Sequence, residues 1–156
     1  MDIQTFLRQR IEAWGQIGHP ALMERFIDRN GTVFQPRPFA GLRMMPTLCF
    51  QNCMDLLFMQ AGRGLLYAEG YGWRQDFPLL IHHAWLVTPD GKVVDPTWVH
   101  PETYQYIGIS LPRDEAWAVV EEADHYSVLD PGMINLDWMF GRDPGLRDFL
   151  PEPRSA

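Results

Sequence analysis

The sequence is poor in cysteine, in positive charge and in long apolar runs, and each shortage removes a class of protein. Two cysteines, Cys49 and Cys53, are too few for a secreted disulfide framework, and 156 residues are enough to fold without one. No run of about eighteen apolar residues exists, so no transmembrane helix is expected. Met1 to Thr5 lack the basic and apolar regions of a signal peptide. These features predict a soluble, cytoplasmic protein with reduced thiols. Lysine and arginine total 13 against 20 acidic residues, for a formal net charge of −7 and a pI near 5.1. Neither nucleic-acid phosphate nor an anionic membrane is therefore an expected partner. Internal repeats and low-complexity segments are also missing.

What remains is ordinary globular composition, 46% hydrophobic and 21% charged, in one expected domain spanning 1–156. Residues 1–46 read as a helical and loop layer. Ile3, Phe6, Leu7, Ile11, Trp14 and Ile17 recur at helical steps behind an Asp2 cap, and Ala21 to Asn30 suits a second helix with Leu22, Phe26 and Ile27 inward. Thr32 to Pro46 is punctuated by prolines and predicts a long irregular loop. Residues 47–111 read as the core: a helix from a Thr47 cap to about Gln60, then runs 65–73, 80–88, 92–98 and 104–111 as strands of an antiparallel meander. Pro89-Asp90-Gly91-Lys92 marks a tight hairpin. Residues 112–156 add a helix over 113–124, with Ala116, Val119 and Val120 inward, and a tail. Trp138, Met139 and Phe140 there either wrap the domain in short turns, helped by Pro131, or make a dimer contact; Glu152 to Ala156 are expected to fray. The order implies α+β.

One stretch carries chemistry, Met45-Pro46-Thr47-Leu48-Cys49-Phe50-Gln51-Asn52-Cys53. A cysteine at the first turn of a helix meets unpaired N–H groups and the positive end of the macrodipole, which favour a thiolate and can hold an oxyanion. A nucleophile also needs a base and a group to orient it. His82 and His83 lie on the expected strand 80–88, where alternation lets only one reach Cys49. Asp95 lies across the hairpin, where a carboxylate can pair with an imidazole. Asp-Pro-Thr is equally a turn in which the carboxylate caps a backbone N–H. Cys53 reads as packing, because free cysteines are among the most buried residue types. His19, His100 and His125 read as solvated, and His82 as facing outward or making a modest substrate contact. Asn52 is expected to hold a loop carbonyl. Glu69, Gly70 and Tyr71 either line a cleft or serve packing and a bulge. Tyr71, Trp73, Phe77 and Trp98 suggest aromatic cleft walls. A zinc site on the same cysteines and histidines is the main rival, although adjacent strand histidines diverge.

Taken together, Cys49-Phe50-Gln51-Asn52, Tyr67-Ala68-Glu69-Gly70-Tyr71, His83-Ala84-Trp85, Val94-Asp95-Pro96-Thr97 and Tyr106-Ile107-Gly108 resemble the transglutaminase-like branch of the papain-like cysteine enzymes, as seen in small bacterial and phage proteins. The similarity covers roughly residues 44–111. It implies a papain-like core whose central helix carries the cysteine against an antiparallel sheet. It further implies a catalytic Cys49, His83 and Asp95, acting on the amide bond of a peptide, protein or small molecule by hydrolysis or acyl transfer without a cofactor. Gln51, Asn52, Tyr71 and Trp85 are the candidate substrate or oxyanion contacts. One departure stands out: the papain branch has a glutamine before its cysteine, and Leu42-Arg43-Met44-Met45 has none. The alternative function is a peptide- or protein-binding module that keeps the fold without turnover.

Overall fold

Asp2 starts the chain's first helix, its Oδ1 accepting from the Thr5 amide at 2.9 Å in the computed structural model, which describes residues 1–129 and 135–151. Helix α1 (Ile3–Gln16) buries Ile3, Leu7 and Ile11, whereas Ile17 falls beyond its end and is exposed. Helix α2 (Leu22–Asn30) buries Leu22, Met23, Phe26 and Ile27 and stops where the Gly31 amide bonds to the Ile27 carbonyl. The expected loop then begins with a strand, β1 (Thr32–Phe34), too short to leave a periodic signal. After helix α3 (Cys49–Phe58) come β2 (Leu66–Trp73), β3 (Ile81–Val87), β4 (Val93–Val94) and β5 (Gln105–Leu111). Helix α4 (Arg113–Ala123) buries Ala116, Val119 and Val120. Helix α5 (Leu136–Arg142) turns Met139 and Phe140 inward, so this part of the tail wraps its own domain. The expectations for Pro131 and for Glu152 to Ala156 lie outside the described residues. No helix among those described is long and apolar enough to cross a membrane.

The class is α+β, with helices on a curled, five-stranded antiparallel sheet of order β1-β5-β2-β3-β4. This corrects the meander. Strands β2, β3 and β4 follow one another, but β5 pairs with β2, not β4. The reason is local: Pro96 has no N–H to give a ladder, so β4 ends after two residues and leaves β5 only the free edge of β2. The sheet curls until its edges meet, where the Gln35 amide bonds to the Gly91 carbonyl at 3.1 Å and the Val93 amide to the Gln35 carbonyl at 2.9 Å. Gly70 and Gly108 face each other across β2 and β5, and a Cβ at either would lie 2.2 Å from a carbonyl oxygen of the other strand. Close backbone approach, not a bulge, explains Gly70.

Alternation gives the curled sheet two cores. Its outer face (Tyr67, Tyr71, Ala84, Leu86, Ile107, Ile109) packs under the helices. Its inner face holds Phe34, Ala68, Trp85, Val87, Val93 and Tyr106.

Candidate active site

Cys49 is the first residue of α3 and only 7% exposed. Thr47 does not cap it. The Thr47 backbone is left-handed (φ 69°), which makes Leu48 the cap residue, and Leu48 has no side-chain acceptor. The first-turn N–H groups thus have no side-chain cap, and a left-handed threonine carries a cost of about 1–2 kcal/mol. Two loops are tied together around this helix end. The Met44 amide bonds to the Pro96 carbonyl at 2.9 Å. One turn into α3, Asn52 Nδ2 donates to the Met45 carbonyl at 2.7 Å and to Thr97 Oγ1 at 2.9 Å. Asn52 therefore holds a loop carbonyl, as expected.

His83 comes from the inner face of β3, where it is 1% exposed, and its Nε2 donates to Asp95 Oδ2 at 2.7 Å. Register alone would set Asp95 opposite Trp85. The turn at Asp95 carries the carboxylate along to His83 instead. Asp95 is fully buried and satisfied at both oxygens: Oδ1 accepts from the amides of Thr97 (2.8 Å) and Trp98 (3.1 Å), and Oδ2 also accepts from the Tyr106 hydroxyl (3.0 Å). Burial alone would lower the His83 pKa. The hydrogen bond and charge of Asp95 outweigh it and, with a smaller contribution from Cys49, raise it from 6.5 to about 8. Burial works to raise the Asp95 carboxyl, yet His83 and the two amides hold it below its ordinary value. Trp98 lies flat on the imidazole, with ring centroids 3.7 Å apart and planes within 6°. Gly72 makes room for it, since a Cβ there would lie 2.3 Å from the indole.

His83 and Asp95 thus come together from β3 and the turn after β4, and Cys49, at the start of α3, lies near enough to act on the His83 imidazole. No protein-family model, curated protein or solved structure matches this chain.

Cys53 is fully buried, and burial first, then the negative charge of neighbouring groups, pushes its thiol well above the usual range. Gln51 sits half-buried in the first turn of α3. Two other sequence candidates lie elsewhere. Tyr71 is on the outer face beside Glu24 of α2, where burial raises its phenol pKa. Trp85 is wholly inside the curl, against Phe34 at 5.6 Å and Tyr106 at 5.0 Å. Residues two apart on a strand share a face but not a depth, and Trp85 lies deeper than His83. Of the suggested aromatic walls, Trp73 and Tyr71 are core residues of the outer face, Phe77 is exposed, and Trp98 stacks on His83.

His82 is half-buried, not free in solvent. Its Nε2 donates to Glu69 Oε1 at 2.8 Å, and its ring packs against Phe50 of α3 at 4.9 Å. Glu69 is fully buried and accepts further bonds from Tyr67 Oη (2.6 Å), Ser127 Oγ (2.6 Å) and the amides of Val128 (2.7 Å) and Leu129 (2.9 Å). Burial would raise this carboxyl, but these donors, led by His82, hold it low. Sequence reasoning missed this hub, and it missed Tyr106 as a partner of Asp95. Strand alternation within 104–111, which puts Tyr106 on the face opposite Ile107, was the signal available for the second. Among the described residues, no three His, Cys, Asp or Glu side chains are grouped so as to hold a metal ion.

Proposed function

We propose that this chain is a cysteine-dependent hydrolase or acyltransferase acting on an amide or peptide bond, with a transglutaminase-like, papain-like core. The observation that supports this best is the buried 2.7 Å bond from His83 Nε2 to Asp95, which leaves Nδ1 for the Cys49 thiol. In the first step Cys49 Sγ bonds to the substrate carbonyl carbon while its proton passes to His83 Nδ1. The carbonyl oxygen takes the negative charge, and the uncapped Cys49 N–H donates to it. On collapse the C–N bond breaks, and the amine leaves with the proton from His83. Water or a second amine then attacks the thioester, gives its proton to His83, and displaces Cys49. Asp95 keeps the imidazole oriented and compensates its charge throughout.

Alkylation tests this without knowledge of the substrate. Iodoacetamide at slightly acidic pH is expected to label Cys49 well before Cys53, and His83→Ala is expected to slow that labelling severalfold, read by peptide mass spectrometry. Equal, slow labelling of both thiols would leave a binding module in place of an enzyme.

A further inference from the structure

His83 is anchored at one corner of its ring, through the 2.7 Å bond from Nε2 to Asp95. A bond at one corner sets where a ring sits but leaves its tilt about that corner free. Trp98 removes the tilt. Its indole lies on the imidazole with centroids 3.7 Å apart and planes within 6°, whereas Trp85 and Tyr106 stand 6.2 and 6.3 Å away, too far to clamp it. Three segments hold the indole in turn. The Trp98 amide donates to Asp95 Oδ1 at 3.1 Å, and the Tyr104 ring packs on the indole at 4.1 Å. Strand β2 opens a slot at Gly72, where a Cβ would meet the six-membered ring of Trp98 at 2.3 Å.

The overlap is closer and flatter than two neutral rings prefer, since such pairs settle edge-on or offset with centroids about 4.5–7 Å apart. A cation, by contrast, is drawn onto the electron-rich face of an indole. The titratable groups that face His83 are Asp95 from the turn, Cys49 from α3 and Tyr106 from β5. Asp95 meets the imidazole at its edge, and Trp98 covers a face. We propose that Trp98 is a positioning residue for the reaction of Cys49: seated in the slot at Gly72, its indole fixes the plane of the His83 ring and favours the imidazolium over the neutral imidazole. The imidazolium is the form that carries the Cys49 proton until the amine leaves with it. Trp98 thus acts through His83. This rests on the catalytic reading of Cys49.

The test is NMR titration of the His83 ring in a Cys49→Ser background, where no thiol titrates beside it. Trp98→Leu removes the aromatic face but keeps an apolar side chain, and the midpoint is expected to fall by about one pH unit. Gly72→Ala forces the indole off its seat while His83 and Trp98 are both retained, and it should lower the midpoint as well. Trp98→Phe keeps a ring and should restore at least half of the fall. A role in packing alone would destabilise all three variants yet leave the midpoint in place, or lower it equally with leucine and phenylalanine; either result overturns the inference. With Cys49 restored, Trp98→Leu should slow iodoacetamide labelling of the thiol severalfold, and Trp98→Phe should slow it less. Unchanged labelling in Trp98→Leu overturns the positioning role and leaves Cys49 as the nucleophile. If native Cys49 does not react ahead of Cys53, the catalytic reading fails and this inference fails with it.

Discussion

Each oxygen of Asp95 has its own task, one capping the turn through Thr97 and Trp98 and the other accepting from His83 and Tyr106. The turn and the pairing with His83, which compete as readings of Asp-Pro-Thr, are in fact one arrangement. The Tyr106 hydroxyl shares Oδ2 with His83, so Tyr106→Phe should leave more of the carboxylate's charge to the imidazole. The His83 pKa is then expected to rise further above about 8, followed by NMR titration of the ring, with a loss of about 1 kcal/mol in stability. An unchanged titration would remove Tyr106 from the site. The same pair sets a pH dependence of folding. His83 titrates at about 8 when folded against 6.5 as a free imidazole, so its contribution is fully present below 6.5 and is lost as pH rises through about 8. On the order of 2 kcal/mol is at stake. Asp95, whose carboxyl is held low, contributes in the other direction, and its share is lost as pH falls below the carboxylate range. Urea denaturation between pH 6 and 9 should show the His83 loss, and His83→Gln should flatten it.

At the level of elements, the site depends on how the end of α3 is tied to the turn after β4. Asn52 provides two of those ties, to Met45 and Thr97. Asn52→Ala removes both and leaves a buried hydroxyl without its donor, an expected loss of about 2 kcal/mol. Cys49 alkylation should slow in the same variant, because the helix end then moves relative to His83. Normal alkylation in a destabilised Asn52→Ala protein would show that Asn52 supports the fold alone. Helix α3 also shows why local capping rules misplace a boundary. Thr47 is a good cap by composition, yet its backbone is left-handed and the helix starts at Cys49, just beyond the loop that Met44 ties to Pro96. The effect is to leave the first-turn N–H groups without a side-chain acceptor.

For the molecule as a whole, Glu69 is the link between the sheet and the residues after α4. Its two oxygens take five hydrogen bonds, three of them from Ser127, Val128 and Leu129. Glu69→Ala should cost roughly 3–5 kcal/mol, since buried donors lose their acceptor together. It should also open the chain near Ser127 to limited proteolysis before the remainder unfolds. Resistance there equal to that of the native protein would mean that apolar packing of Val128 and Leu129 holds the segment alone.

Local chemistry was enough to reveal most of the elements and the three residues of the candidate site. Helical steps marked α1, α2 and α4; a turn sequence marked the β3–β4 hairpin; Cys49 and Asp95 stood out from their immediate neighbours, while the choice of His83 over His82 came from the resemblance. What the sequence concealed is all long-range. β5 lies beside β2 because β4 is cut short, and β1 pairs with β5 across most of the chain. Curling then decided depth, which sends Trp85 and Tyr71 into cores while His83, on the same strand as Trp85, stays within reach of α3. Pairing partners and burial are sums over contacts between distant segments, and period and propensity hold no record of them. The resemblance had already preferred His83 to its chemically identical neighbour, but only the folded chain could show that His82 belongs to a buried hub around Glu69.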